Sequence, residues 1–120
     1  MSVNAVEIAA LYMKSLLNHD FSEVPFSDDV TFEGPMVPEI KGKQDVVEFL
    51  DEATRIITDM KVNKTITDGE HVVSIIDISV GPIVFPACEV MGISDGKITM
   101  IRNYYDPTPL AALGNANPIE

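Results

Sequence analysis

The sequence predicts an α+β domain in which helices come first and a curved, mostly antiparallel sheet follows. Three observations lead there. Two early stretches carry apolar residues at helical spacing. After Asp59 the pattern changes to Val- and Ile-rich runs separated by Asp-Gly or Gly-Pro breaks, as hairpins require. Those runs are long for a chain of 120 residues, which argues for strong curvature. Helices laid against a concave sheet face leave a pocket between the layers, and any chemistry is expected there.

Element by element, Asn4 with Glu7 three residues on forms a capping box that opens a helix. Ile8, Leu11, Tyr12 and Leu16 fall on one stripe of it, and it ends near Asn18-His19-Asp20. Asp28 to Glu33 reads as a brief strand, broken by Gly34-Pro35 and Pro38. Gly42 to Asp59 reads as the clearest helix. Its apolar face runs through Val46, Val47, Phe49, Leu50, Ala53, Ile56 and Ile57, and Asp51 and Arg55 are spaced for an i,i+4 ion pair. Strands follow at Lys61–Thr67, His71–Val80, Ile83–Ile93 and Lys97–Tyr105, with tight turns at Asp68-Gly69 and Asp95-Gly96. From Pro107 onward, three prolines and Gly114 predict a loose tail. The chain therefore reads as a single domain over residues 1–120, with its core in 1–107 and the tail in 108–120.

Composition excludes several functions. With 19 acidic against 8 basic side chains the net charge is −11, a surface that repels nucleic acid and anionic membranes. A single cysteine, Cys88, makes neither an internal disulfide nor a multi-thiolate zinc site, and only His19 and His71 are available as imidazoles. No metal and no organic cofactor is expected. No apolar run approaches the roughly 20 residues of a membrane span, and MSVNAVEIAA has no basic region ahead of an apolar one, so a cytoplasmic protein is expected.

Candidate site residues are those that interrupt apolar strands. Asp77 shares a strand face with Val73 and Ile75. Either that face is the wet side, with Ile76 and Ile78 in the core, or Asp77 is buried and its pKa is shifted. Glu89 is the sharper anomaly. Phe85, Ala87, Met91 and Ile93 share its face, and Val84, Cys88 and Val90 occupy the other. It belongs in a pocket, at a dimer interface, or in a salt bridge to Arg102 on the next strand. In the last strand Thr99, Ile101, Asn103 and Tyr105 share one face; Ile98, Met100, Arg102 and Tyr104 share the other. Asn103, Tyr105 and Tyr12 could offer polar groups to a ligand, though packing alone also accounts for the two tyrosines. His71, beside a turn, reads as exposed. His19 reads as a helix-end residue and Cys88 as a small hydrophobe.

Three stretches resemble the nuclear transport factor 2-like superfamily, especially its SnoaL-like and ketosteroid-isomerase-like members. Phe26 to Pro35 resembles its short acidic strand. Ile40 to Leu50 resembles its helix start, with Lys43 for the usual Arg, and Asp95 to Asp106 is similar to the last hairpin of limonene epoxide hydrolase. The resemblance spans about residues 4 to 107. It implies a cone-shaped, cystatin-like fold with an apolar internal pocket, dimerisation across the sheet, and a hydrophobic small molecule as partner. Tyr12 and Glu89 match the oxyanion-hole positions of the ketosteroid isomerases, and Gly34 stands where their general-base aspartate would be. Against the epoxide hydrolases, only Asp77 of five catalytic positions is retained. Phe32, Gly34, Ile75 and Asn103 replace the other four.

The leading expectation is a small-molecule enzyme doing proton-transfer chemistry of isomerase, cyclase or dehydratase type. Asp77 would be the base, Glu89 and Tyr12 the oxyanion donors, and Asn103 the orienting group. Tyr105, Phe32, Ile75, Met91 and Phe85 would line the substrate site. The alternative is a non-catalytic module of the same fold that binds an apolar ligand or dimerises; a protein-interaction scaffold is a third reading.

Overall fold

A computed structural model describes residues 4–111. Helix α1 (Ala5–Asn18) opens as the capping box requires: Asn4 Oδ1 accepts from the Glu7 amide at 2.9 Å, and Glu7 Oε1 accepts from the Asn4 amide at 3.5 Å. It closes at His19, which takes a left-handed conformation (φ 56°) to bring its amide onto the Ser15 carbonyl. Strand β1 (Phe26–Gly34) then turns through Pro35-Met36 into a second strand, β2 (Val37–Lys41). The sequence reading has a break where β2 lies, because Pro38 cannot donate to a ladder. An edge strand tolerates it, and among the described residues β2 pairs only with β1.

Helix α2 (Lys43–Ala53) is shorter than the apolar pattern predicts. The Thr54 hydroxyl donates to the Leu50 carbonyl at 2.6 Å, and the branched run Thr54, Ile56, Ile57, Thr58 tightens into a 3₁₀ turn (Thr54–Ile56) and then extends. The Arg55–Asp51 pair forms as spaced, Nη2 to Oδ2 at 3.3 Å. Strands β3 (Asp59–Thr67), β4 (His71–Val80), β5 (Ile83–Ser94) and β6 (Lys97–Tyr105) follow, and a short helix, α3 (Thr108–Ala111), ends the described residues. The expected loose tail thus begins with a helical turn that buries Leu110, and its remainder, 112–120, lies outside the described residues.

Among the described residues the sheet has six strands in the order β2-β1-β6-β5-β4-β3. All neighbours are antiparallel except β1 and β6, which run parallel. The curved α+β architecture predicted above is the one observed. The helices cover the concave face, where Tyr12, Leu50, Ile76, Met91, Ile98 and Ile101 are among the most deeply buried side chains. No helix among the described residues is long and apolar enough to cross a membrane.

Two register irregularities decide which residues face inward. In β3, Val62 pairs with Ile76 and Lys64 with Ile75, so Asn63 is an extra residue in a bulge. In β6 the register slips between Ile98 and Met100. That slip turns Ile98 into the core with Ile101, against the face that strict alternation assigns it.

Candidate functional site

Every element contributes to the wall of one apolar cavity of about 90 Å³ under the concave face. The alternation of β5 sends Phe85, Ala87, Glu89 and Met91 inward, so Glu89 is carried into that face by its apolar neighbours. Register places Ser74 of β4 and Asn103 of β6 directly opposite it. Tyr12 reaches the same cavity from the inner stripe of α1, held by Phe26 edge-on at 6.3 Å between ring centroids and by Phe21 at 6.2 Å. Phe32 and Phe49 pack with tilted rings 5.1 Å apart on one wall, and Phe85 and Tyr105 do so at 5.6 Å on another.

Within this apolar shell two polar atoms stand without hydrogen-bond partners, Glu89 Oε1 and Asn103 Oδ1. Glu89 is 4 % exposed, and the loss of water pushes its carboxyl from 4.5 up to about 8. Near neutrality it is therefore mainly the neutral acid, able to donate one hydrogen bond and accept another. Burial raises the Tyr12 hydroxyl well above its usual value, and the nearby Glu89 charge raises it further. Tyr105, half-buried at the rim, is raised by burial too. Glu89 is the one carboxyl on the cavity wall among the described residues.

Of the expected site residues, the structure brings together Tyr12, Glu89, Asn103, Tyr105, Phe32 and Phe85. It corrects the placement of three others. Ile76 and Ile78 take the inner face of β4, so Asp77 and Ile75 point to the outside of the sheet. There Asp77 stands opposite Lys61, and its Oδ2 accepts from Asn63 Nδ2 of the β3 bulge at 2.9 Å. A carboxylate placed so cannot act as a base in the cavity. Met91 is on the inner face but 1 % exposed and away from the cavity wall, where it fills the core. The Glu89–Arg102 salt bridge weighed above does not form either. Arg102 lies on the outer face and donates to Glu33 Oε1 at 2.6 Å from Nη2 and 3.0 Å from Nε.

Sequence reasoning missed the walls made by Ile78, Val80, Met60 and Leu110. The signal for β4 was present, since Ile76 and Ile78 in the core was the competing choice. Nothing local marked Leu110. Among the described residues no group of three or more His, Cys, Asp or Glu side chains is arranged to hold a metal ion.

The SnoaL-like domain family matches residues 9–101, most of the chain and all the strands that build the cavity except the end of β6. The chain belongs to the SnoaL-like domain family. Solved structures agree on the fold. An NTF2-like protein from Cytophaga hutchinsonii is 21% identical, with a TM-score of 0.80 over 92% of this chain and 96% of its own. A steroid delta-isomerase from Pseudomonas aeruginosa is 23% identical, with a TM-score of 0.78 over 95% and 88%. An LEH-like epoxide hydrolase from M. tuberculosis is 23% identical, with a TM-score of 0.73 over 90% and 86%. At these identities the SnoaL-like chain shares a fold with its neighbours, and a fold hosts many chemistries. No curated protein matches it in sequence.

Proposed function

We propose that this SnoaL-like domain is a small-molecule enzyme of acid–base type, an isomerase, cyclase or dehydratase, acting on a hydrophobic carbonyl compound in the cavity. The observation that carries this reading is Glu89, a buried carboxyl on the wall of an apolar cavity with one oxygen bonded to nothing. Buried carboxyls without partners are costly in a purely structural role. A substrate carbonyl would accept from the neutral Glu89 acid, with the Tyr12 hydroxyl as a second donor. As solvent water takes up the proton that leaves the carbon beside that carbonyl, both donors would stabilise the charge that develops on oxygen. A carboxyl near 8 is also poised to exchange its proton close to neutral pH. Asn103 would hold a second polar group of the substrate. The steroid delta-isomerase among the structural neighbours supports this type of chemistry.

The test is solvent-deuterium exchange into small ketones and enones. Wild type is expected to exchange the proton beside the carbonyl faster than buffer, and Glu89→Gln to lose on the order of a hundredfold. Exchange at the buffer rate by both proteins overturns the catalytic reading. A second reading, ligand binding without turnover, is favoured by one observation: Asp77 lies outside, leaving Glu89 as the cavity's one carboxyl among the described residues. It expects ketone binding that depends on Glu89 and no exchange.

We also propose that the outer sheet face, which exposes Ile66, Ile75, Val84 and Tyr104 on neighbouring strands, pairs two copies of the chain. Sedimentation of wild type against Val84→Lys tests it, and a wild-type monomer overturns it.

A further inference from the structure

We propose that the cavity selects a neutral, oxygenated molecule no larger than a single ring, and that Leu110, brought in by α3, sets the size limit. This deepens the ligand-binding part of the reading above and does not depend on turnover.

Size comes first. A cavity of about 90 Å³ is smaller than the roughly 150 Å³ that holds one benzene ring, so a single small ring is the most it encloses. A fused polycyclic skeleton is too large to be enclosed there. Charge narrows the class further. No Lys, Arg or His lines the cavity among the described residues, and the ionisable groups on its wall are Glu89, Tyr12 and Tyr105. A carboxylate or phosphate ligand would be desolvated beside an acid with no counter-ion. The polar atoms define what remains. Asn103 Oδ1 needs a donor such as a ligand hydroxyl, while Glu89 and Tyr12 can serve a carbonyl oxygen.

Leu110 differs from the rest of the wall in how it is held. The other lining side chains belong to α1, α2, the 3₁₀ turn or the sheet, or lie directly beside them. Leu110 is the one buried residue of α3. The bonds that shape this turn are local: the Leu110 and Ala111 amides donate to the Pro107 carbonyl at 3.0 Å, and the Thr108 amide donates to Asp106 Oδ1 at 3.0 Å. Shortening Leu110 therefore enlarges the cavity without touching a strand ladder.

The experiment is an amide NMR titration of the full chain near neutral pH with cyclohexenone, cyclohexanecarboxylate, a two-ring ketone and a four-ring steroid enone. Cyclohexenone is expected to shift the Glu89 and Asn103 resonances at concentrations on the order of tenfold below those of the carboxylate. The two-ring and steroid ketones are expected to leave wild type unchanged, and Leu110→Ala to admit the two-ring ketone. Leu110→Val serves if the alanine variant does not fold. The inference is overturned if cyclohexenone fails to bind, if the carboxylate or the steroid matches it, or if truncating Leu110 leaves the ranking unchanged. Cyclohexenone binding without deuterium exchange leaves this inference standing while the catalytic reading falls. Exchange of a steroid ketone by wild type does the reverse.

Discussion

Glu89 and Asn103 stand directly opposite each other on β5 and β6, and each buries a side-chain oxygen, Oε1 and Oδ1, that nothing in the described fold hydrogen-bonds. One orphaned polar atom in an apolar layer is a local cost. Two on facing register positions beside a cavity lie where one ligand could satisfy both.

The carboxyl makes stability depend on pH in a defined direction. Folded Glu89 keeps its proton up to about pH 8, whereas the unfolded chain releases it near the ordinary 4.5. Between those values the native state binds more protons than the unfolded one, so the unfolding free energy falls as pH rises. Measured by urea denaturation, the stability of wild type relative to Glu89→Gln is expected to drop by a few kcal/mol from about pH 5 to pH 8. An unchanged difference would mean that Glu89 is not desolvated.

Asn103→Leu removes the second orphan and keeps an apolar side chain of similar size. The variant is expected to melt at or above the wild-type temperature, since a buried unsatisfied amide costs about 1–3 kcal/mol. Ketone affinity should fall at least about tenfold. A large loss of stability in thermal melts would show that the amide has a structural partner.

Asp77→Ala lies on the other side of the sheet, where among the described residues it breaks only the Asn63 hydrogen bond. The expected cost is within about 1 kcal/mol. Deuterium exchange and ketone binding should match wild type. A loss of exchange with the fold intact would restore Asp77 to the site.

At the end of α1, His19 holds a left-handed backbone at φ 56° that side chains with a Cβ resist. His19→Gly is expected to raise stability by about 1 kcal/mol in denaturant titration. No change in C-cap geometry is needed for this gain, so amide spectra should differ only near residue 19.

The elements that carried their own local code were legible in the sequence. The capping box at Asn4 and Glu7, the Asp95-Gly96 turn and the apolar stripe through Val46 and Leu50 each involve residues a few positions apart. Glu89 was legible because both faces of its strand are apolar. Asp77 was not, because both parities of β4 are rich in Ile and Val. The choice between them was made by helix packing and by Asn63, which a bulge brings onto Asp77 from another strand. The slip in β6 that buries Ile98, the edge strand around Pro38 and the inward Leu110 likewise depend on partners distant in the chain.

The parallel pairing of β6 with β1 imposes an order on the birth of the molecule. As the chain leaves a ribosome, β2-β1 and β6-β5-β4-β3 can each zip up from neighbours along the chain, yet they stay separate pieces with open edges. Only β6 joins them: its own hairpin with β5 is local, and its parallel pairing with β1, Ile98 beside Phe26, is the distant one. Closing so wide a loop is the slow, entropy-limited event in such a topology. The two orphaned oxygens come face to face within the local β5–β6 hairpin, and the wide loop to β1 then closes the sheet beside them.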